Sequence, residues 1–115
     1  MRRGEIYLTN FGKKYNSEFG KIRPALIIQN DIENRNIDNV AYKGITLLPL
    51  TSKISGGDLR VFVSKSQNLN QDSEICINEI CTLDITRIDL SQCLLKLNET
   101  QLNEVNKKLK WHLNV

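Results

Sequence analysis

At 115 residues and 13.2 kDa, with 40% hydrophobic and 25% charged residues, the chain has the length of one domain with a single core. Its longest apolar run, ITLLPL at residues 45–50, is too short to span a bilayer, and MRRGEIY lacks the apolar region of a secretory signal, so a cytoplasmic protein is expected. The net charge of +3 is mild, and three cysteines without a CxxC pair exclude a disulfide scaffold as the working assumption.

Strand signals recur at short intervals. Glu5–Leu8 reads as a first strand, and Ala25–Gln29 as a second, apolar on both faces and therefore interior. Ile45–Leu50 is a third, with Pro49 near its end, where a missing N–H is tolerable. Leu59–Val63 follows as a fourth, Glu74–Ile77 as a fifth, Ile80–Leu83 as a sixth and Cys93–Leu97 as a seventh. Ile75 and Ile77 alternate, but Ile80 is out of step, which predicts a bulge or sharp bend at Asn78-Glu79.

The C-terminus changes period. Asn98-Glu99-Thr100-Gln101 spells a capping box, and Leu97 and Leu102 sit where a hydrophobic staple needs them. Leu102, Val105, Leu109 and Leu113 then form one helical stripe, with Trp111 on the opposite side, where a contact with another chain is expected. Many short strands followed by one amphipathic helix favour a small barrel, because closure removes exposed strand edges.

Two long polar connections stand out, Thr9–Lys21 and Ser64–Ser73. The first carries Lys13, Lys14, Tyr15, Phe19 and Lys21, amines interleaved with rings. That mixture suits single-stranded nucleic acid, where amines meet phosphates and rings stack on bases; a plain solvated loop has the same composition.

Familiar catalytic patterns are missing. One histidine, His112, excludes a two-histidine acid–base pair within the chain, and no Gly-rich phosphate loop, HExxH or GxSxG occurs. The cysteines with His112 match no zinc spacing, so no metal site is expected. Arg23 is different. It precedes Pro24, which biases it to extended geometry at the point where a long loop enters a buried strand. Thr51 leaves the third strand just beyond Pro49-Leu50. If those two strands are neighbours, a guanidinium and a hydroxyl share one end of the sheet and together can hold a phosphate.

GEIYLTNF, SEFGKIRPALIIQND, ITLLPLTSKI, DSEICINEICTLDITRI and a short C-terminal helix occur in this order. In that series the chain resembles the MazF/PemK-type toxins of bacterial toxin–antitoxin pairs, over essentially its whole length. GKIRP and PLTS are the most specific segments. The resemblance implies a mainly β fold with a C-terminal helix, a small SH3-like barrel of the MazF/CcdB type. It implies a homodimer, a cognate antitoxin, and a sequence-selective endoribonuclease that needs no metal or other cofactor. Arg23 and Thr51 then match the catalytic pair and Glu18 the acidic residue of the preceding loop. Lys13, Lys14, Phe19, Lys21, Pro24, Ser52, Lys53 and Glu79 are expected along the RNA groove. Single-stranded RNA is cut by attack of a ribose 2′-OH on the adjacent phosphate.

Two features depart from the family pattern. Glu79-Ile80-Cys81 stands where relatives commonly have a Gln-Ile-Arg type segment, and Ile85 replaces a frequently basic position. An alternative within the same fold is a gyrase-poisoning toxin that acts by binding protein. Such toxins commonly end in Trp-Gly-Ile, whereas this chain ends in Trp111-His112-Leu113-Asn114-Val115.

Overall fold

A computed structural model describes residues 1–13 and 21–115. Glu18, Lys14 and Phe19 lie outside the described residues. Among the described residues, seven strands, β1 (Glu5–Asn10), β2 (Ile22–Ile27), β3 (Gly44–Thr51), β4 (Arg60–Val63), β5 (Ser73–Cys76), β6 (Cys81–Asp84) and β7 (Leu95–Lys96), form one sheet. Its order is β4-β5-β3-β2-β1-β7, with β6 also on β3, and every pairing is antiparallel. A short helix α1 (Asp31–Arg35) follows β2, and α2 (Glu99–Leu113) closes the chain. The mainly β fold with a C-terminal helix is borne out, its sheet curled into a half-barrel with β4 and β7 at the two ends of the strand order.

β3 organises the sheet because it serves three partners. Its first half pairs with β6 from Gly44 to Leu47, its middle with β2 from Leu47 to Pro49, and its end with β5 at Leu50 and Thr51. Pro49 falls between the end of the β6 ladder and the start of the β5 ladder, a gap that suits a residue without an N–H. The phase break after Ile77 has its counterpart here. A 3-10 turn at Ile77–Glu79 sends β5 and β6 to opposite ends of β3.

Strand alternation sorts the apolar residues into two clusters. Ile6, Leu26 and Leu48 face one way and pack with Val61, Val63 and Ile75 beneath Val105 and Leu109 of α2. Tyr7, Ala25, Ile27, Ile45 and Leu47 face the other way and pack with Ile88. β2 is therefore apolar on both faces because both are covered. Each fully buried aliphatic side chain contributes on the order of 1.5–3 kcal/mol by leaving water.

The capping box at α2 is present in both directions, Asn98 Oδ1 accepting from Gln101 N–H at 2.8 Å and Gln101 Oε1 accepting from Asn98 N–H at 2.9 Å. Leu97 and Leu102 both join the first cluster. The stripe stops one residue sooner than its periodicity predicts. Leu109 is buried, whereas Leu113 is 47% exposed. Trp111 is also exposed, beside Asp58, Glu104 and Lys107.

Candidate nucleic-acid interface

β1 and β2 pair with Thr9 opposite Arg23 and Leu8 opposite Pro24. Between β2 and β3, Ala25 stands opposite Pro49. Counting that register outward by two residues brings Arg23 to Thr51, on the sheet face that carries Ala25 and Pro49. Arg23, Pro24, Thr51 and Ser52 all line one cleft of about 390 Å³. The condition set by the sequence, that the second and third strands be neighbours, is met.

The far wall of this cleft comes from the Ser64–Ser73 connection, through Asn68, Asn70 and Gln71. Leu69 is buried and anchors that wall, while Lys65 N–H donates to Asp72 Oδ1 at 2.8 Å and Ser66 N–H to Leu69 O at 2.9 Å. The polar loop was visible in the sequence as a candidate, but the three amides were not singled out. Their signal is the placement of one apolar residue within a polar run, which fixes which side chains turn outward.

The donors around the cleft are set by local bonds. Lys53 N–H donates to Thr51 Oγ1 at 3.2 Å. A hydroxyl that accepts in this way keeps its own proton for an outside acceptor. The neck of the β1–β2 connection is closed by Phe11 N–H to Lys21 O at 2.8 Å and Lys21 N–H to Gly12 O at 2.7 Å. Lys21 takes a left-handed φ of 67° there. Lys21 and Lys53 are exposed and contribute charge near the site without lining the cleft.

Lys13 and Glu79 meet elsewhere. They line a second cleft of about 270 Å³ with Phe11, Pro49 and Cys81. Arg23 and Glu79 nevertheless act on a common atom. Burial above all, then Glu79 and Glu74, push the Cys76 thiol up to about 11, against the pull of the Arg60 and Arg23 guanidinium groups. The thiol therefore stays protonated near neutrality and is no thiolate nucleophile. Cys81 is raised by burial and by Glu79. Among the described residues, no three His, Cys, Asp or Glu side chains gather as a metal site would require. No helix among them is long and apolar enough to cross a membrane.

Glu74 stands beside Thr51 without lining the cleft, and nothing in the sequence marks it. It lies opposite Thr51 in the β3–β5 ladder and is buried. Its two oxygens accept from the N–H groups of Ser55 and Gly56, each at 2.9 Å, and Arg60 Nη1 approaches Oε1 at 3.4 Å. The Ser55 N–H, above all, holds its carboxyl below the usual range.

The fold recurs in solved structures. MazF from Deinococcus radiodurans superposes with a TM-score of 0.77 at 20% identity, covering 100% of this chain and 97% of that one. An endoribonuclease in complex with its cognate antitoxin from a mycobacterial species gives 0.75 at 21% identity, covering 100% and 96%. In sequence, Endoribonuclease MazF of Staphylococcus saprophyticus is 37% identical over 110 residues, 95% of this chain and 88% of that protein. The model of the PemK-like, MazF-like toxins of type II toxin–antitoxin systems matches residues 2–113. With that match spanning nearly every residue, the chain belongs to the PemK-like, MazF-like toxin family.

Proposed function

We propose that the chain is an endoribonuclease toxin that cuts single-stranded RNA in the cleft between β2 and the Ser64–Ser73 connection. The observation that carries this reading is that Arg23 and Thr51 line one cleft, at neighbouring ends of β2 and β3. The 37% identical relative named as an endoribonuclease supports the reaction class.

The roles follow from side-chain chemistry. The ribose 2′-OH attacks the adjacent phosphorus, the bond to the 5′-oxygen breaks, and a 2′,3′-cyclic phosphate and a free 5′-OH result. Arginine, with a pKa above about 12, is a poor base near neutrality. Arg23 instead stabilises the charge that grows on the phosphoryl oxygens. Thr51 donates its hydroxyl proton in a hydrogen bond to one of them. Glu18 accepts the 2′-OH proton and then gives it to the departing 5′-oxygen, or it orients Arg23 while water carries that proton between the two oxygens. Every catalytic side chain in this scheme belongs to the chain, and no metal takes part. The exposed amines of Lys21 and Lys53 attract the backbone, and Asn68, Asn70 and Gln71 offer donors and acceptors to base edges.

In the cell the protein acts in the cytoplasm as a homodimer. Its activity is held in check by an antitoxin whose acidic, partly disordered segment folds over the basic groove. The antitoxin-bound state of a structural neighbour supports a partner of this kind.

The test is direct. Purified protein is incubated with varied single-stranded RNAs in EDTA, beside Arg23→Ala, Thr51→Ala and Glu18→Gln, and the new ends are mapped. Cleavage with cyclic-phosphate and 5′-OH ends is expected, lowered by about 10²-fold or more in the first two variants. No cleavage of any RNA by the wild type refutes the reading, and loss of cleavage on adding EDTA refutes the metal-free scheme. Near-normal cleavage by Glu18→Gln removes that residue from the mechanism.

A further inference from the structure

The segment that leaves Thr51 has little packing to define it. Ser52 to Asp58 are exposed, and Gly56 and Gly57 take left-handed φ values of 71° and 106° with open space around them. Segments of this kind open easily when nothing polar restrains them. Here polar bonds restrain the second half of the segment. Lys108 Nζ, from α2, donates to Arg60 O at 2.7 Å and approaches Gly57 O at 3.5 Å. Just before Gly57, the Glu74 carboxylate takes the Ser55 and Gly56 N–H groups, one on each oxygen.

Glu74 is an unexpected residue for its place. β5 is buried at all four positions, and the others are Ser73, Ile75 and Cys76. A carboxylate in such a strand is unfavourable unless its charge is met by hydrogen bonds. Its side-chain bonds go to Ser55 and Gly56, in the segment between Thr51 and β4, and to Arg60, the first residue of β4. An aliphatic residue would fill the strand but accept nothing; the carboxylate takes two successive N–H groups of the loop, one on each oxygen.

We propose that Glu74 is a positioning residue for Thr51. By fixing Ser55 and Gly56 it sets the course of the chain from Ser52 onward, and so keeps Lys53 N–H on Thr51 Oγ1. That bond occupies one lone pair of the hydroxyl and leaves its proton directed to the cleft. When the loop drifts, the N–H is withdrawn and the hydroxyl turns among its rotamers. The proposal rests on the reading of Thr51 as a donor to the scissile phosphate.

Glu74→Gln tests it. The amide keeps the volume but replaces one accepting oxygen with a donor, so one of the two N–H groups loses its partner. Expected is a fall of about tenfold or more in kcat with KM changed by less than about threefold, because the lost contact acts in the transition state. Under single-turnover conditions with excess enzyme, the same change made in Thr51→Ala produces no further fall. By NMR, the Ser55 and Gly56 amides exchange with solvent at least about tenfold faster, while the Leu48 and Ile75 amides keep their protection. Lys108→Met releases the outer anchor without touching the buried carboxylate, and gives the same pattern at smaller size even if Glu74→Gln folds poorly. Wild-type kcat in both variants overturns the proposal, as does an equal fall with and without Thr51, or unchanged exchange at Ser55 and Gly56. An inactive wild type overturns the cleavage reading, and the positioning role with it. In that case faster exchange in Glu74→Gln still shows the grip on the loop, so the two failures are told apart.

Discussion

Pro24 faces Leu8 across the β1–β2 ladder, and this pairing sets where Arg23 stands, one residue earlier and opposite buried Thr9. The guanidinium is carried by a strand end that the following proline keeps out of the α region. Arg23→Lys keeps a positive charge but loses the planar fork that meets two phosphate oxygens at once. Cleavage is expected to fall by about 10²- to 10³-fold, the scale for loss of a transition-state donor. Both apolar clusters are left intact by this change, so the fold is retained. Pro24→Ala is milder, since the ladder still holds the register. Single-turnover cleavage of one defined RNA, beside thermal melts, checks both.

Thr51 separates shape from chemistry. Thr51→Val keeps the β-branched outline and the strand but removes the hydroxyl, so cleavage drops by about 10²-fold or more while folding is retained. Thr51→Ser keeps the hydroxyl and its bond from Lys53 N–H, and holds cleavage within about tenfold of wild type, the loss coming from a freer χ1. Comparable activity in the valine and serine variants contradicts a donor role for this residue.

These two positions also show what the sequence could express. The residue types and their flanking prolines were legible, because Arg23-Pro24 and Pro49-Leu50-Thr51 are local facts. Their convergence needed the β2–β3 register. The capping box and staple of α2 were legible for the same reason, being contacts three to five residues apart. Leu113 was misplaced because periodicity fixes a face of a helix but not how far the covering surface extends. Glu74 was hidden altogether. Within SEIC it reads as the polar position of an alternating strand, and its partners lie 18 and 19 residues away in a loop without distinctive spelling. The bend after Ile77 was foreshadowed by a break in phase, yet nothing local says that β5 and β6 go to opposite ends of one strand.

Glu74 also makes stability depend on pH. Its carboxyl is held below the ordinary value of 4.5, first by the Ser55 N–H and then by Gly56 N–H and Arg60, against the opposing effect of burial. The folded state therefore binds this proton more weakly than the unfolded chain does. The stabilisation is fully present above the ordinary value and is lost as pH falls through the lowered one. Asp31, lowered by Arg3 N–H and Asn34, acts in the same direction. Urea midpoints measured from pH 7 down to pH 3 should fall more steeply for wild type than for Glu74→Gln. Parallel profiles contradict the assignment.

Asn98 offers a change that affects stability and leaves the cleft alone. Its side chain takes the Gln101 N–H while Gln101 returns the bond to the Asn98 N–H, so two donors at the start of α2 are satisfied together. Neither residue lines the cleft of Arg23 and Thr51. Asn98→Ala removes an N-cap and costs about 1 kcal/mol, within the usual 0.5–2. For a domain of this size that lowers Tm by about 3–6 °C. Gln101→Ala loses the reciprocal bond and costs less, since alanine is the better helix former. Because the two bonds form one motif, the double variant should lose less than the sum of the singles. Helix α2 remains folded at 25 °C through Val105 and Leu109, which are buried against the sheet. RNA cleavage at that temperature should thus match wild type in all three variants. A loss of cleavage without a loss of stability would instead connect the helix start to the reaction.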